Sequence, residues 1–143
     1  MTTKSEPPRS TKWRELEQEF LRQHPQCEVC GTTSELNVHH QIPFEYCIEL
    51  GRPDLELNPA NLITLCNSAQ HHILVGHLDS FESYNPDVLT DVKTFANKTR
   101  SELMADVQFQ DKVAKRPLPI HKMDQDSRSA LLTYLNQRFP MST

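Results

Sequence analysis

Two stretches decide how this chain is read. Residues 27–40 begin Cys27-Glu28-Val29-Cys30-Gly31 and close on Leu36-Asn37-Val38-His39-His40. Residues 61–77 begin Asn61-Leu62-Ile63-Thr64-Leu65-Cys66 and end on His71-His72 and His77. Two thiolates three residues apart fit a turn that presents both sulfurs to one zinc ion, and Gly31 eases that turn. Leu36 to Ile42 alternates apolar and polar residues with the period of a strand, stopped by Pro43. Leu62 to Cys66 reads as a second short strand, followed by a histidine-rich helix over about residues 68–76.

Working outward, Trp13, Leu16, Phe20 and Leu21 recur at helical spacing between Thr11 and His24, with Ser10 or Thr11 as cap and Pro25 as stop. Residues 1–10 read as a frayed polar tail. Residues 44–60 read as a long connection. Asn85-Pro86 suggests a helix cap with proline at the first helical position. Val88, Val92, Phe95, Ala96 and Leu103 mark one amphipathic face beyond it. Residues 112–122 read as a basic, proline-bearing linker, and Leu131, Leu135 and Phe139 as a last helix. Trp13, Phe20 and Phe95 are expected in the core, His24 and His121 in solvent.

Composition narrows the function. The 143 residues carry 15 Lys plus Arg against 19 Asp plus Glu, a net charge of −4, and mean hydropathy is −0.62. So short and polar a chain builds a thin core and benefits from a staple. No apolar run approaches the roughly 18 residues of a membrane span, and none follows the N-terminal charges as a secretory leader would. Three glycines, with no GxGxxG or GxxxxGK among them, leave no nucleotide-cradling loop. A reducing, cytoplasmic compartment is therefore expected, where disulfides are rare. The four cysteines can be core thiols, two disulfides or metal ligands; a redox pair is the rival reading of Cys27 and Cys30, but no βαβ pattern surrounds them. Residues 41–91 carry eight acids and the single base Arg52, and no basic stripe of the kind expected for tight general nucleic-acid binding exists. Lys12, Arg14, Lys115 and Arg116 are candidate backbone contacts.

The metal-competent residues fall into two interleaved sets. Cys27, Cys30 and Cys66, with His71 as a candidate fourth, make a closed structural zinc site. His39, His40, His72 and His77 form an imidazole set. Adjacent residues of a strand face opposite ways, so His39 and His40 cannot share a role. His72 and His77 are five apart, about 140° around a regular α-helix, unless Gly76 ends the helix and swings His77 back. Cys47 has no partner at ligand spacing and reads as a free thiol.

The blocks CEVCG, LNVHHQIP, NPANLITLC and HHILVGH, in that order, resemble the HNH endonucleases of zinc-containing phage and bacterial type. The resemblance covers roughly residues 12–90. It implies an α+β fold with a small ββα-metal core and a structural zinc site, flanked by an N-terminal helix and C-terminal helices. The implied division is a tail over 1–10, a nuclease domain over 11–90 and a helical extension over 91–143. It further implies that His39 and His72 hold a catalytic divalent metal (Mg²⁺, Mn²⁺, Ni²⁺ or Zn²⁺), with His77 as a further candidate ligand. It implies that His40 is the general base, that Asn61 braces the loop between the strands, and that Cys27, Cys30 and Cys66 bind zinc. DNA is the implied partner, cleaved to a 5′-phosphate and a 3′-hydroxyl; no membrane is implied, and nothing supports a protein partner or a homodimer. One departure stands out: a second CxxC is usual in the family, whereas Ala69 lies three residues after Cys66 and His71 five after. The rival reading is a zinc-stapled, non-catalytic module that binds nucleic acid or protein, favoured by the acidic stretch; a redox or storage metalloprotein is a third.

Overall fold

A computed structural model describes residues 9–141. The fold is mixed α+β, built around one two-stranded antiparallel sheet. Strand β1 (Leu36–His40) pairs with β2 (Leu62–Cys66) so that Leu36 faces Cys66, His39 faces Ile63 and His40 faces Leu62. The expected in-and-out alternation does not appear. Val38, His39, His40, Gln41 and Ile42 are all buried, as is every residue of β2. Helices and turns cover both faces, so period-2 polarity here records chemistry rather than solvent.

Helix α1 (Trp13–Gln23) begins two residues later than Thr11. Its N-cap, Lys12, has no side-chain cap; instead the Ser10 hydroxyl accepts from the Lys12 N–H. Phe20 is the buried anchor, packing with Val38 and Leu62 beside Trp13, Leu16 and Leu21. The connection over 44–60 is more ordered than its sequence suggests. It holds α2 (Phe44–Glu49) and two 3₁₀ turns, Pro53–Glu56 and Pro59–Asn61. β1 ends at His40, two residues short of the expected Ile42, and Pro43 is the N-cap of α2, with Phe44, Tyr46 and Cys47 turned inward.

After β2, the predicted helix over 68–76 is replaced by bends and then a single π-helical turn over His72–Gly76. Left-handed residues bracket it: Gln70 before, at φ 60, and Leu78 and Asp79 after, at φ 52 and 67. The predicted face from Val88 to Leu103 is broken in two. Helix α3 (Val88–Thr94) and α4 (Arg100–Ala105) are separated by Asn97 at φ 61. Asn85 does not cap α3 directly, since Asp87 is its N-cap and Pro86 lies outside it; Asn85 instead donates to Val75 O and Asp91 Oδ2. Thr99 and Glu102 form a capping box that restarts the chain as α4. Ala96 is exposed, while Val88, Val92, Phe95 and Leu103 are buried.

Helix α5 (Val107–Ala114) takes in Lys112, so the basic linker is shorter than expected; Lys112 pairs with Asp87 and Asp91. A 3₁₀ turn over Ile120–Lys122 buries Ile120, and α6 (Gln125–Arg138) follows. Phe95, Leu103 and Phe109 share one cluster with Cys27, Ile63, Leu65 and Leu74. Ile120, Leu135 and Phe139 share another with Ile42, Tyr46 and Leu55. The helices expected as an extension thus pack on the strands and their loops. Buried Arg52 ties α6 down by donating to Asn136 Oδ1 and Phe139 O, while pairing with Asp54. Among the described residues no helix is long and apolar enough to cross a membrane. The tail read over residues 1–10 lies mostly outside the described residues.

Candidate metal centres

Four ligand atoms converge where the Cys27–Gly31 turn meets the end of β2. Cys30 Sγ lies 3.9 Å from Cys66 Sγ, and His71 Nδ1 lies 3.5 Å from Cys66 Sγ and 3.8 Å from Cys27 Sγ. A tetrahedral zinc with ordinary bond lengths asks for about 3.8 Å between sulfurs and about 3.6 Å from sulfur to nitrogen. The spacing fits. The local chain explains the placement. Gly31, at φ 74, closes the knuckle, its N–H bonding Cys27 O at 2.8 Å, and Glu28 N–H bonds Thr64 O at 3.0 Å, which docks the knuckle on β2. Gln70 at positive φ turns His71 back toward Cys66.

The proton inventory fits as well. His71 Nε2 lies 2.7 Å from Lys98 O, so it donates there and leaves Nδ1 bare as a ligand. Burial would push the Cys66 thiol up, but the backbone N–H groups of Ala69 and His71 outweigh it and bring it down to about 7. Burial holds Cys27 and Cys30 above the usual thiol value, so both are neutral thiols near pH 7 and must give up their protons when a cation joins them. This cluster can hold a structural metal such as zinc. Cys47, the fourth cysteine, is fully buried away from it, its thiol pushed up to about 12 by burial.

The second cluster comprises His39, His72 and His77, with one nitrogen from each within 4.8 Å of the others. The π turn is what brings His72 and His77 together. Residues five apart diverge on an α-helix, but a turn closed by i→i+5 bonds stacks them. Their ring centroids lie 5.0 Å apart, and each ring meets His39, at 5.0 and 4.6 Å. Gly76 is the last residue of that turn, as its identity suggests, and His77 follows as the C-cap. A Cβ on Gly76 would fall 2.9 Å from Leu65 Cδ1, 3.2 Å from His39 Cε1 and 3.3 Å from His39 Nδ1. A side chain there would crowd Leu65 and His39, because the turn presses against the strand.

His77 Nδ1 donates to Ser83 O at 2.7 Å, leaving its Nε2 bare. His39 Nε2 is buried and has no hydrogen-bond partner among the described residues. An orphaned buried nitrogen is costly, and a bound cation would satisfy it. Burial first, then the neighbouring imidazoles, hold His39 well below the usual histidine value; burial holds His72 at about 4. All three rings are thus neutral ligands near pH 7.

His40 lines the same cavity of about 250 Å³ as His39, His72 and His77. Its Nε2 lies 2.9 Å from Glu56 O and donates there, which leaves the lone pair on Nδ1. Arg9 Nη1 stands 3.4 Å from that Nδ1, and Trp13, expected in the core, stacks on the ring at 4.6 Å. Burial brings His40 down to about 4, the Glu56 carbonyl opposing and Arg9 assisting. Asn61 is wholly buried. Its Oδ1 accepts from Ile42 N–H, and its Nδ2 donates to Ile42 O and to Leu55 O. It thus pins the chain after His40 to the turn whose Glu56 carbonyl orients His40.

Reading the sequence missed Arg9, Phe81, Glu56 and Ser83. The two carbonyls carry no sequence signal. Phe81 and Arg9 become relevant only because the chain returns them to the cavity. Comparison with family models, curated proteins and solved structures found no match to this chain.

Proposed function

We propose that this chain is a metal-dependent endonuclease of the HNH type that hydrolyses DNA phosphodiesters. The observation that carries the reading is the His39–His72–His77 cluster, buried at His39 and His77, with its orphaned His39 Nε2, opening on a cavity shared with His40. A non-catalytic zinc module has no need of a second, unstapled set of neutral imidazoles beside an oriented histidine.

His39, His72 and His77 would hold a divalent cation, through Nε2 in the case of His77. When bound, that ion supplies Lewis-acid polarisation of the phosphodiester and charge stabilisation at the leaving oxygen. His40 does the proton work. Its Nε2–H is held by Glu56 O, so Nδ1 takes a proton from water as the water attacks phosphorus in line with the leaving 3′-oxygen. The P–O3′ bond breaks and the leaving oxygen takes a proton from solvent water, yielding a 5′-phosphate and a 3′-hydroxyl. Asn61 is a positioning residue, acting through the loop that carries Glu56 O.

The acidic stretch is a weaker objection in three dimensions. Glu49, Asp54, Asp87 and Asp91 are ion-paired with Arg128, Arg52 and Lys112. Glu45 and Glu82 do line the cavity. The test is supercoiled plasmid with Mg²⁺, Mn²⁺ or Ni²⁺, beside His40→Ala. Nicking or linearisation by the parent alone supports the reading. No cutting with any of the metals, zinc still bound, overturns it in favour of a binding module.

A further inference from the structure

The cavity has two ends of different chemistry. At the His40 end lies Arg9, its guanidinium carbon 4.5 Å from the centre of the Phe44 ring and 5.2 Å from that of Trp13. Two aromatic faces hold a cation that would otherwise wave in solvent. The backbone is held too: Ser10 N–H donates to both Glu56 carboxylate oxygens, at 3.0 and 3.2 Å. At the other end Phe81 meets His77 at 4.9 Å and His72 at 5.6 Å between ring centroids. Phe81 is nevertheless 62% exposed, and an aromatic ring left open beside the ligand histidines has a face to offer. Arg9 is the single Lys or Arg among the described residues lining the cavity, and Glu45 and Glu82 share its wall.

These features choose between forms of nucleic acid. A duplex delivers a negative charge for each roughly 1.7 Å of its axis, with its bases stacked inward and out of reach. A cavity with one fixed guanidinium and two carboxylates meets that density poorly. A single strand delivers half the charge and leaves its bases free to stack on an aromatic ring. We propose that the cavity takes one unpaired nucleotide of a single-stranded segment, Arg9 binding its phosphate and Phe81 stacking on its base. This rests on the nuclease reading and deepens it: the preferred substrate is a single strand, or a duplex where it is locally opened.

The test measures binding before cutting. Zinc-loaded protein without added divalent metal is titrated into a labelled oligothymidylate and, separately, into the same length of duplex, followed by fluorescence anisotropy. The single strand should bind about fivefold or more tightly than the duplex. Arg9→Ala and Phe81→Ala should each weaken single-strand binding about fivefold or more, Phe81→Trp should preserve it, and melting temperatures should stay at the parent's because both residues are exposed. Trp13 is the chain's one tryptophan and lies against Arg9, so its emission should respond to thymidylyl-thymidine in the parent and not in Arg9→Ala. Equal or tighter duplex binding, or alanine variants that bind like the parent, overturns the proposal. If the duplex is cut in a His40-dependent way while the single strand is ignored, this inference falls and the nuclease reading stands. If neither form is bound or cut, both fall.

Discussion

His71 and His72 are neighbours in the chain and belong to different worlds. His71 completes a cluster with Cys27, Cys30 and Cys66, packed against Leu65, Leu74, Phe95 and Phe109, with its outer nitrogen satisfied by Lys98 O. His72 joins His39 and His77 at the floor of an open cavity, where one buried nitrogen is left without a partner. The first cluster ties the Cys27 turn to the end of β2, and its four ligand atoms are enough for a tetrahedral sphere. The second draws its residues from a strand and a π turn and leaves one side to a cavity. The difference teaches that a set of four donors suits a structural metal, whereas three donors beside a cavity leave the open position that metal chemistry would need.

The comparison can be broken most forcefully at the cysteines. Cys66→Ser should release zinc and lower the melting temperature by roughly 10 °C or more, because it removes both a ligand and the closure of a thin core. His72→Ala should leave zinc content and the melt near the parent's and abolish metal-dependent cleavage. Zinc quantification and calorimetry on the two variants decide it; equal destabilisation by both would erase the distinction between the clusters.

A finer cut is Gly76→Ala. Its new methyl would press on Leu65 and His39, at a cost of about 1–3 kcal/mol for an overpacked site. The expected outcome is a melt a few degrees lower with weakened metal binding at the histidines and unchanged zinc in the cysteine cluster. Loss of zinc instead would mean that the two clusters are mechanically one.

A last cut is the pH limb. Burial holds His40 and His72 at about 4, against an ordinary value near 6.5. Below about pH 6.5 the unfolded chain therefore binds protons that the folded chain refuses. These histidines cost nothing above that pH and destabilise the fold progressively as pH falls toward 4. Thermal melts across this range should show the decline, and His72→Ala should make it shallower. A flat profile would mean that the imidazoles are not buried as described.

Cys27, Cys30, Cys66, His39, His40 and His72 stand out in the sequence because few other reasons place such side chains at such spacing. The two strands, α1 and the last helix were legible from their apolar patterns for the same reason. What stayed hidden was relational. Helix α2 lay unseen because Pro43 reads as a stop, although it is a start. The break at Asn97 is a left-handed residue that no periodicity announces. The pairing of His72 with His77 depends on a π turn pressed against Leu65, and the tautomers of His40, His71 and His77 depend on the carbonyls of Glu56, Lys98 and Ser83. Donor identity is a property of residues and could be read directly. Which donor meets which, in what tautomer and beside which arginine, follows from backbone carbonyls and close packing, which belong to the folded chain alone.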